Sequence, residues 1–485
     1  MAFHFLQSGP LVTSLLCVAA YLAMQVVLAT RTKPYPPGPR GRPVIRNLLQ
    51  IPQDKPWLVY AAWAHTYGDV IHLEAFNYHL VILNSAQAAK ELLDGRSAIY
   101  SDRPASLSMA SYGDEWRKQR RVVAHALSSA MLSRYYSIQE DEARRLVQGL
   151  LRNPDTVVSQ TKTRIAAIIM RVIYGYTVEG EDDRMITMQF EAMDNFTYAS
   201  EPGVWIVDFI PQLQYLPRWM PGASFLRTAQ AFKELEPTQL ECRPSQQAGT
   251  AEPCLVVSAL EQCEGRMSDE DEPGCNLRSR GWIDTNMSAI FSFLLLMILH
   301  PDVVGTERLP SMKDRPSLPY LRSVITEVYR CYGPVAPQGL PHSLRQDDVY
   351  KDYLLPKTSI LIPNVWRMLH DPDVFQQPDE FRPERFANSD TEMRKVTDLS
   401  LFGFGRRACP GSQFAEGSVF AIAATVLATC DVVPKVDERG DPIIPDMEYT
   451  SGFVTVTFPK RIVCDFRPRS GKVREMLEEY VSRGE

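Results

Sequence analysis

Phe402-Gly403-Phe404-Gly405-Arg406-Arg407-Ala408-Cys409-Pro410-Gly411 is the stretch on which the reading of this 485-residue chain turns. Gly403 and Gly405 allow backbone angles and a close approach that side chains would forbid. Pro410 suits the first turn of a helix, where its missing N–H costs nothing. A helix is therefore predicted just after Cys409, running from Ser412 to Cys430 through a segment rich in Ala, Val, Ile and Phe. The positive end of such a helix favours thiolate over thiol at Cys409. A cysteine taken alone reads as a small buried hydrophobe. The glycines and arginine spaced around this one point instead to a loop that takes a flat apolar cofactor through sulfur, with Arg407 facing an acidic edge of it.

The pattern Phe-Gly-x-Gly-x-Arg-x-Cys-x-Gly, filled here by Phe402, Gly403, Gly405, Arg407, Cys409 and Gly411, resembles the proximal loop of the cytochrome P450 family. The resemblance implies heme b, with Cys409 as the axial ligand of its iron and Phe402, Arg407 and Gly411 in the cofactor-binding loop. A thiolate ligand pushes electron density toward bound dioxygen and favours O–O cleavage.

Composition fits one large catalytic unit behind an anchor. No Gly/Ser linker, repeat or low-complexity block divides the chain after its first fifty positions. A net charge of −6 without a long basic stripe argues against nucleic acid. Nine cysteines spread from Cys17 to Cys464 lack the density of a disulfide framework and suit a reducing compartment. Cys242, Cys254, Cys263 and Cys275 lack the close pairs of structural zinc sites.

Pro10 to Thr30 carries no charge and is dominated by Leu, Val, Ala and Met, close to the roughly 20 residues that cross a bilayer core. Residues 1–30 are read as a membrane anchor. A cleaved signal peptide is the rival, and Met1 to Gly9 offers no Lys or Arg as its leader. Arg31, Lys33, Arg40, Arg42 and Arg46 follow the span, so the positive-inside rule keeps the body in the cytosol, and the sequons at Asn195 and Asn286 then stay unglycosylated. Residues 31–50, with Tyr35-Pro36-Pro37-Gly38-Pro39, read as a stiff hinge. Residues 51–485 form the catalytic domain. A basic segment followed by a proline hinge resembles microsomal members of the family, which implies the endoplasmic reticulum.

Asp69 to Glu74 and His79 to Leu83 are predicted as two strands, with Asn77-Tyr78 as the turn between them. Ser85 to Leu93 is predicted helical, and Asp114 opens another helix with acids in its first turn and bases after. Trp116 and Arg120 share a face of that helix. A solvated charged face explains such an arginine, but Trp-x-x-x-Arg also resembles the family's helix whose tryptophan and arginine reach a heme propionate, and that reading is preferred. Ala143 to Val178 is helical in period. Phe196 to Phe225, broken by four prolines, resembles a mobile lid, and Glu234 to Arg280 reads as loop with some helix.

Trp282 to His300 is apolar on nearly all sides, like a helix through a core. A second membrane span is the rival, disfavoured by Asp284 and by the lack of flanking bases. Asp284-Thr285 resembles the acid–alcohol pair that delivers protons to the reacting oxygen. The chain departs from the family at Gly281-Trp282, where a small residue and a glycine are usual, and in its short segments after Pro104 and Val303. Glu327 and Arg330 share a helix face. With Arg385 of Pro383-Glu384-Arg385-Phe386 they resemble the family's structural triad, a folding role. His342 resembles a position that touches a heme propionate, and a surface histidine is the other reading.

The fold implied is mainly α with a small β-rich lobe, the cytochrome P450 fold. The activity implied is insertion of one atom of O2 into an apolar small molecule, with electrons from NADPH through a membrane-bound reductase, and the look is of fungal secondary-metabolism members. A heme-binding relative with impaired oxygen activation is the alternative. The sequence names neither substrate nor regioselectivity.

Overall fold

The computed structural model describes most of residues 33–479, leaving out 235–253 and 256–279 and shorter stretches that include 105–110, 201–204, 302–307, 333–336 and 452–455. Most of the expected region 234–280 and the whole of Pro10 to Thr30 lie outside the described residues. The helices introduced here are α1 (Pro56–Tyr67), α2 (Asp114–Ala126), α3 (Tyr136–Arg152), α4 (Val157–Tyr174), α5 (Arg184–Ser200), α6 (Ser224–Glu234), α7 (Arg280–Leu299), α8 (Pro319–Cys331), α9 (Val365–Leu369), α10 (Asp390–Val396) and α11 (Ser412–Thr429). The strands are β1 (Val70–Ala75), β2 (Tyr78–Leu83), β3 (His342–Ser343), β4 (Asp348–Tyr350), β5 (Tyr353–Leu355), β6 (Ile360–Pro363), β7 (Cys430–Pro434) and β8 (Cys464–Pro468). This is the mainly helical body with a small β lobe that the sequence implies.

Local chemistry sets the breaks. The helical run from Ala143 to Val178 is interrupted because Pro154 has no N–H to continue α3, and the Asn153 side chain accepts from the Asp155 N–H at 3.3 Å as the next turn starts. Helix α4 ends on Gly175, whose φ of +66° suits a residue without Cβ. Helix α7 is buried along most of its length, from Ile283 to Ile298, and packs against α4, α8 and α11. It is the axis of the helical core. Asn286 lies buried within it, which leaves no room for a glycan at that sequon.

The main sheet has the order β1-β2-β6-β3. β1 and β2 are antiparallel, whereas β6 joins β2 in parallel and β3 in antiparallel register. That pairing carries His342 beside Leu361, and its ring meets Phe404 edge-on at 6.5 Å. Two sequence expectations shift here. Tyr78 belongs to β2, paired with Ala75, because its backbone can extend the ladder by one residue. The helix expected from Ser85 to Leu93 divides into a short α turn at Ala86–Ala89 and a wider π turn at Lys90–Asp94.

The proline segment lies against the β lobe. Pro37 accepts from the His72 N–H at 3.0 Å and Pro34 from the Leu354 N–H at 2.8 Å, and a Cβ at Gly38 would run into the His72 carbonyl oxygen. Among the described residues, no helix is long and apolar enough to cross a membrane, and α7 is accordingly a core helix.

Candidate functional site

The Cys409 loop closes on itself, its N–H donating to the Phe402 carbonyl at 2.6 Å. Gly403 (φ +82°) and Gly405 (φ +50°) make that closure possible. At Gly405 a Cβ would strike the Leu93 carbonyl oxygen, and the Gly405 N–H donates to the Asp94 carboxylate. The π turn at Lys90–Asp94 thus holds the loop from one side. Phe402 meets Tyr329 of α8 edge-on at 6.1 Å, and α11, apolar all round, buries itself behind the loop.

Two details correct the sequence reading. Helix α11 starts at Ser412 with Gly411 as its cap, so Pro410 precedes the helix and does not sit in its first turn. The Cys409 thiol is pushed up by burial, while the Gly411 N–H and the Arg120 charge pull it down without overcoming that burial. The helix end alone therefore does not make a thiolate; a cation bound at sulfur would.

Around this sulfur the fold gathers cations. Arg120 donates to the Ala408 carbonyl and lies over the Trp116 ring, with its guanidinium carbon 5.9 Å from the centroid. Arg407 covers the same indole at 4.4 Å, and its Nε donates to the Ser101 carbonyl at 2.7 Å. Arg103 is buried and donates to the carbonyls of Leu340 and Pro341 at 2.8 and 2.5 Å. His342 is 2% exposed, which removes the surface reading, and its Nδ1 donates to the Tyr100 carbonyl at 2.8 Å.

These groups repel one another. Burial and the Arg407 charge push Arg103 down to about 9. Burial, with Arg103 and Arg407 nearby, holds His342 well below the usual imidazole range. Beside them Ser101 Oγ is buried with no hydrogen-bond partner among the described residues. Cations held this close out of water are relieved by an anion. The donor set fits a planar cofactor with acidic substituents on one edge and a metal that accepts sulfur, which is the demand that heme b makes. Arg103 is the member that the sequence reading missed. Its signal was slight, an arginine before Pro104, and its partners lie more than two hundred positions away in sequence.

Asp284 and Thr285 lie on α7, outside this cluster. Asp284 is lifted from the usual 3.8 to about 6 by burial and by Asp194, against Lys162, and Thr285 is half-buried beside it. The side chain of Trp282 lies outside what the structure describes. The raised carboxyl has a consequence for stability. Its folded pKa exceeds its unfolded one, so folding loses free energy as pH rises from about 4 to about 6. Asp284→Asn is expected to be the more stable protein at pH 8 by roughly 2 to 3 kcal/mol, and equal to the parent near pH 3.5, when urea midpoints are compared. Equal midpoints at both pH values would contradict a buried, shifted Asp284.

The triad expected from sequence meets in the structure. Glu327 is fully buried and accepts from Arg330 Nε at 2.8 Å and Nη2 at 3.0 Å, from Arg385 Nε at 3.0 Å and from the Arg382 N–H at 2.9 Å. Arg330 continues to the Leu369 carbonyl at 3.0 Å, and Arg385 to the carbonyls of Gln376, Gln377 and Glu380 at 2.7, 3.1 and 3.1 Å. One carboxylate thus ties α8 to the strap of chain that leads to the Cys409 loop. Among the described residues, no group of three or more His, Cys, Asp or Glu could hold a metal ion.

Comparison with known proteins points the same way. Residues 36–459 match the family model described as Cytochrome P450. The chain is 49% identical over 495 residues to cytochrome P450 monooxygenase 105 of Postia placenta, covering 95% of this chain and 94% of that protein. It is 45% identical to monooxygenase 226 of the same organism, covering 96% and 94%. To the cytochrome P450 monooxygenase claR of Ampulloclitocybe clavipes it is 35% identical, covering 92% and 89%.

Proposed function

This chain belongs to the cytochrome P450 family and is a monooxygenase of that family, and on that premise we propose that it inserts one atom of O2 into an apolar small molecule, with electrons from NADPH delivered through a membrane-bound reductase. The observation that carries the reading is the cluster of buried Arg103 with half-buried Arg120 and Arg407, beside a buried His342, around a loop that presents one sulfur. Heme b, when bound, supplies the oxygen chemistry. Cys409 Sγ would hold its iron, and the guanidinium groups with His342 would hold its acidic edge. Trp116 helps keep Arg120 and Arg407 in place, since both guanidinium groups lie over its ring. Asp284, with a pKa of about 6, can give and recover a proton near neutral pH, and Thr285 stands next to it to pass that proton on.

Other parts of the proposal rest on composition and surface. Arg117, Lys118 and Arg121 on α2, the helix whose Arg120 reaches the Cys409 loop, offer basic charge for an acidic electron donor. The uncharged stretch Pro10 to Thr30 with its basic flank supports a single-pass anchor in the endoplasmic reticulum, the body facing the cytosol. The relatives from two fungi are monooxygenases, and a place in fungal secondary metabolism is part of this proposal.

Turnover under 18O2 tests the reaction. Full-length protein is incubated with NADPH, a fungal reductase and a panel of apolar terpenoid and polyketide compounds. A product bearing one 18O atom, dependent on both NADPH and reductase, is expected. Consumption of NADPH that yields only peroxide across the panel, or product oxygen derived from water, would overturn it.

A further inference from the structure

Apart from the arginine cluster, aromatic side chains from α1, α9 and the segment just after α8 surround a cavity of about 310 Å³ that is partly open to solvent and reaches Leu401, just before the Cys409 loop. Its walls are Trp57, Tyr332, Trp366 and Tyr449, filled in by Leu369 and Met447. Two wall elements are stacked ring pairs. Tyr332 lies on Tyr449 with centroids 4.9 Å apart and planes at 9°, and Trp366 lies on His370 at 4.4 Å and 14°. The walls are also braced from behind. The Tyr449 hydroxyl donates to Ser292 Oγ of α7 at 2.9 Å, and the Trp57 carbonyl accepts from the Asn364 amide at 2.9 Å. Flat, fixed aromatic surfaces favour a flat aromatic guest.

Charge narrows the guest further. Arg330 reaches the cavity, but its guanidinium is committed to Glu327 and the Leu369 carbonyl. His370 is held neutral at ordinary pH, since burial and the Arg330 charge push it down to about 4. Lys55 and Asp379 also line the opening and are opposite in sign, so they favour no net charge while offering one donor and one acceptor. A volume of about 310 Å³ lies at the small end of small-molecule sites. None of Arg103, Arg120, His342 and Arg407 lines this space. We propose that the cavity is a second small-molecule site, for a neutral planar aromatic of one or two fused rings carrying a hydroxyl group.

Equilibrium dialysis of 2-naphthol against the full-length, heme-loaded protein tests this, with the Soret band recorded on the same samples. The wild type should hold one saturable equivalent whose loading leaves the Soret band unmoved. Met447→Trp, which puts an indole into the cavity, and Trp366→Ala, which removes a wall, should each weaken that equivalent at least tenfold and leave the Soret band as it was. Trp366 is half-buried, so its truncation keeps the test available if Met447→Trp does not fold. Wild-type affinity in the folded variants would overturn the proposal, as would a wild type whose only saturable equivalent shifts the Soret band. A protein with no Soret band that still binds 2-naphthol would remove the heme reading and leave this one standing.

Discussion

Glu327→Gln is expected to yield a protein that scarcely folds. The carboxylate is fully buried and accepts hydrogen bonds from Arg330, from Arg385 and from the Arg382 backbone. The amide keeps the size but removes the charge, and Arg330, itself fully buried, is left as an uncompensated cation. Breaking one side of such a pair costs on the order of 3 to 5 kcal/mol. That is a large part of the roughly 5 to 15 kcal/mol that holds a domain together. Urea midpoints of the full-length protein would show the loss, accompanied by loss of bound heme, because the same carboxylate secures the strap leading to the Cys409 loop. A variant within about 1 kcal/mol of wild type would mean that water reaches Glu327 and that the network is no brace.

Cys409→Ala is expected to abolish thiolate ligation completely while leaving the apoprotein folded. The hydrogen-bond anchor at this position is the backbone N–H to the Phe402 carbonyl, which alanine retains. Losing one sulfur atom there costs about 1 kcal/mol. The effect on the cofactor is total, because no other residue of the loop carries sulfur. Far-UV circular dichroism should match wild type while the thiolate signature is absent. Retention of that signature would place the ligand elsewhere.

What the sequence revealed and what it concealed follow from the range of the forces involved. The Cys409 loop and the Glu-x-x-Arg helix were legible because their residues are near neighbours whose types already fix the geometry. Gly403 and Gly405 need their positive φ angles wherever the loop is put. Burial was not legible in the same way. His342 read nearly as well as a surface residue, and long-range contacts that include the pairing of β3 with β6 take it out of solvent. Arg103 passed unnoticed because its carbonyl partners at Leu340 and Pro341 are fixed by the fold, with nothing local to announce them. At Cys409 the local argument from the helix end pointed toward thiolate, whereas the desolvation that decides the direction comes from the packed surroundings.

The central claim is that this chain binds heme through Cys409 in a cradle formed by Arg103, Arg120, Arg407 and His342. The most direct measurement is the absorption spectrum of the reduced, carbon-monoxide-bound full-length protein. The account predicts the strongly red-shifted Soret band of thiolate-ligated heme, present in the wild type and missing in Cys409→Ala. A wild-type protein that folds and takes up heme, yet shows only the unshifted band of a nitrogen-ligated center, would contradict it.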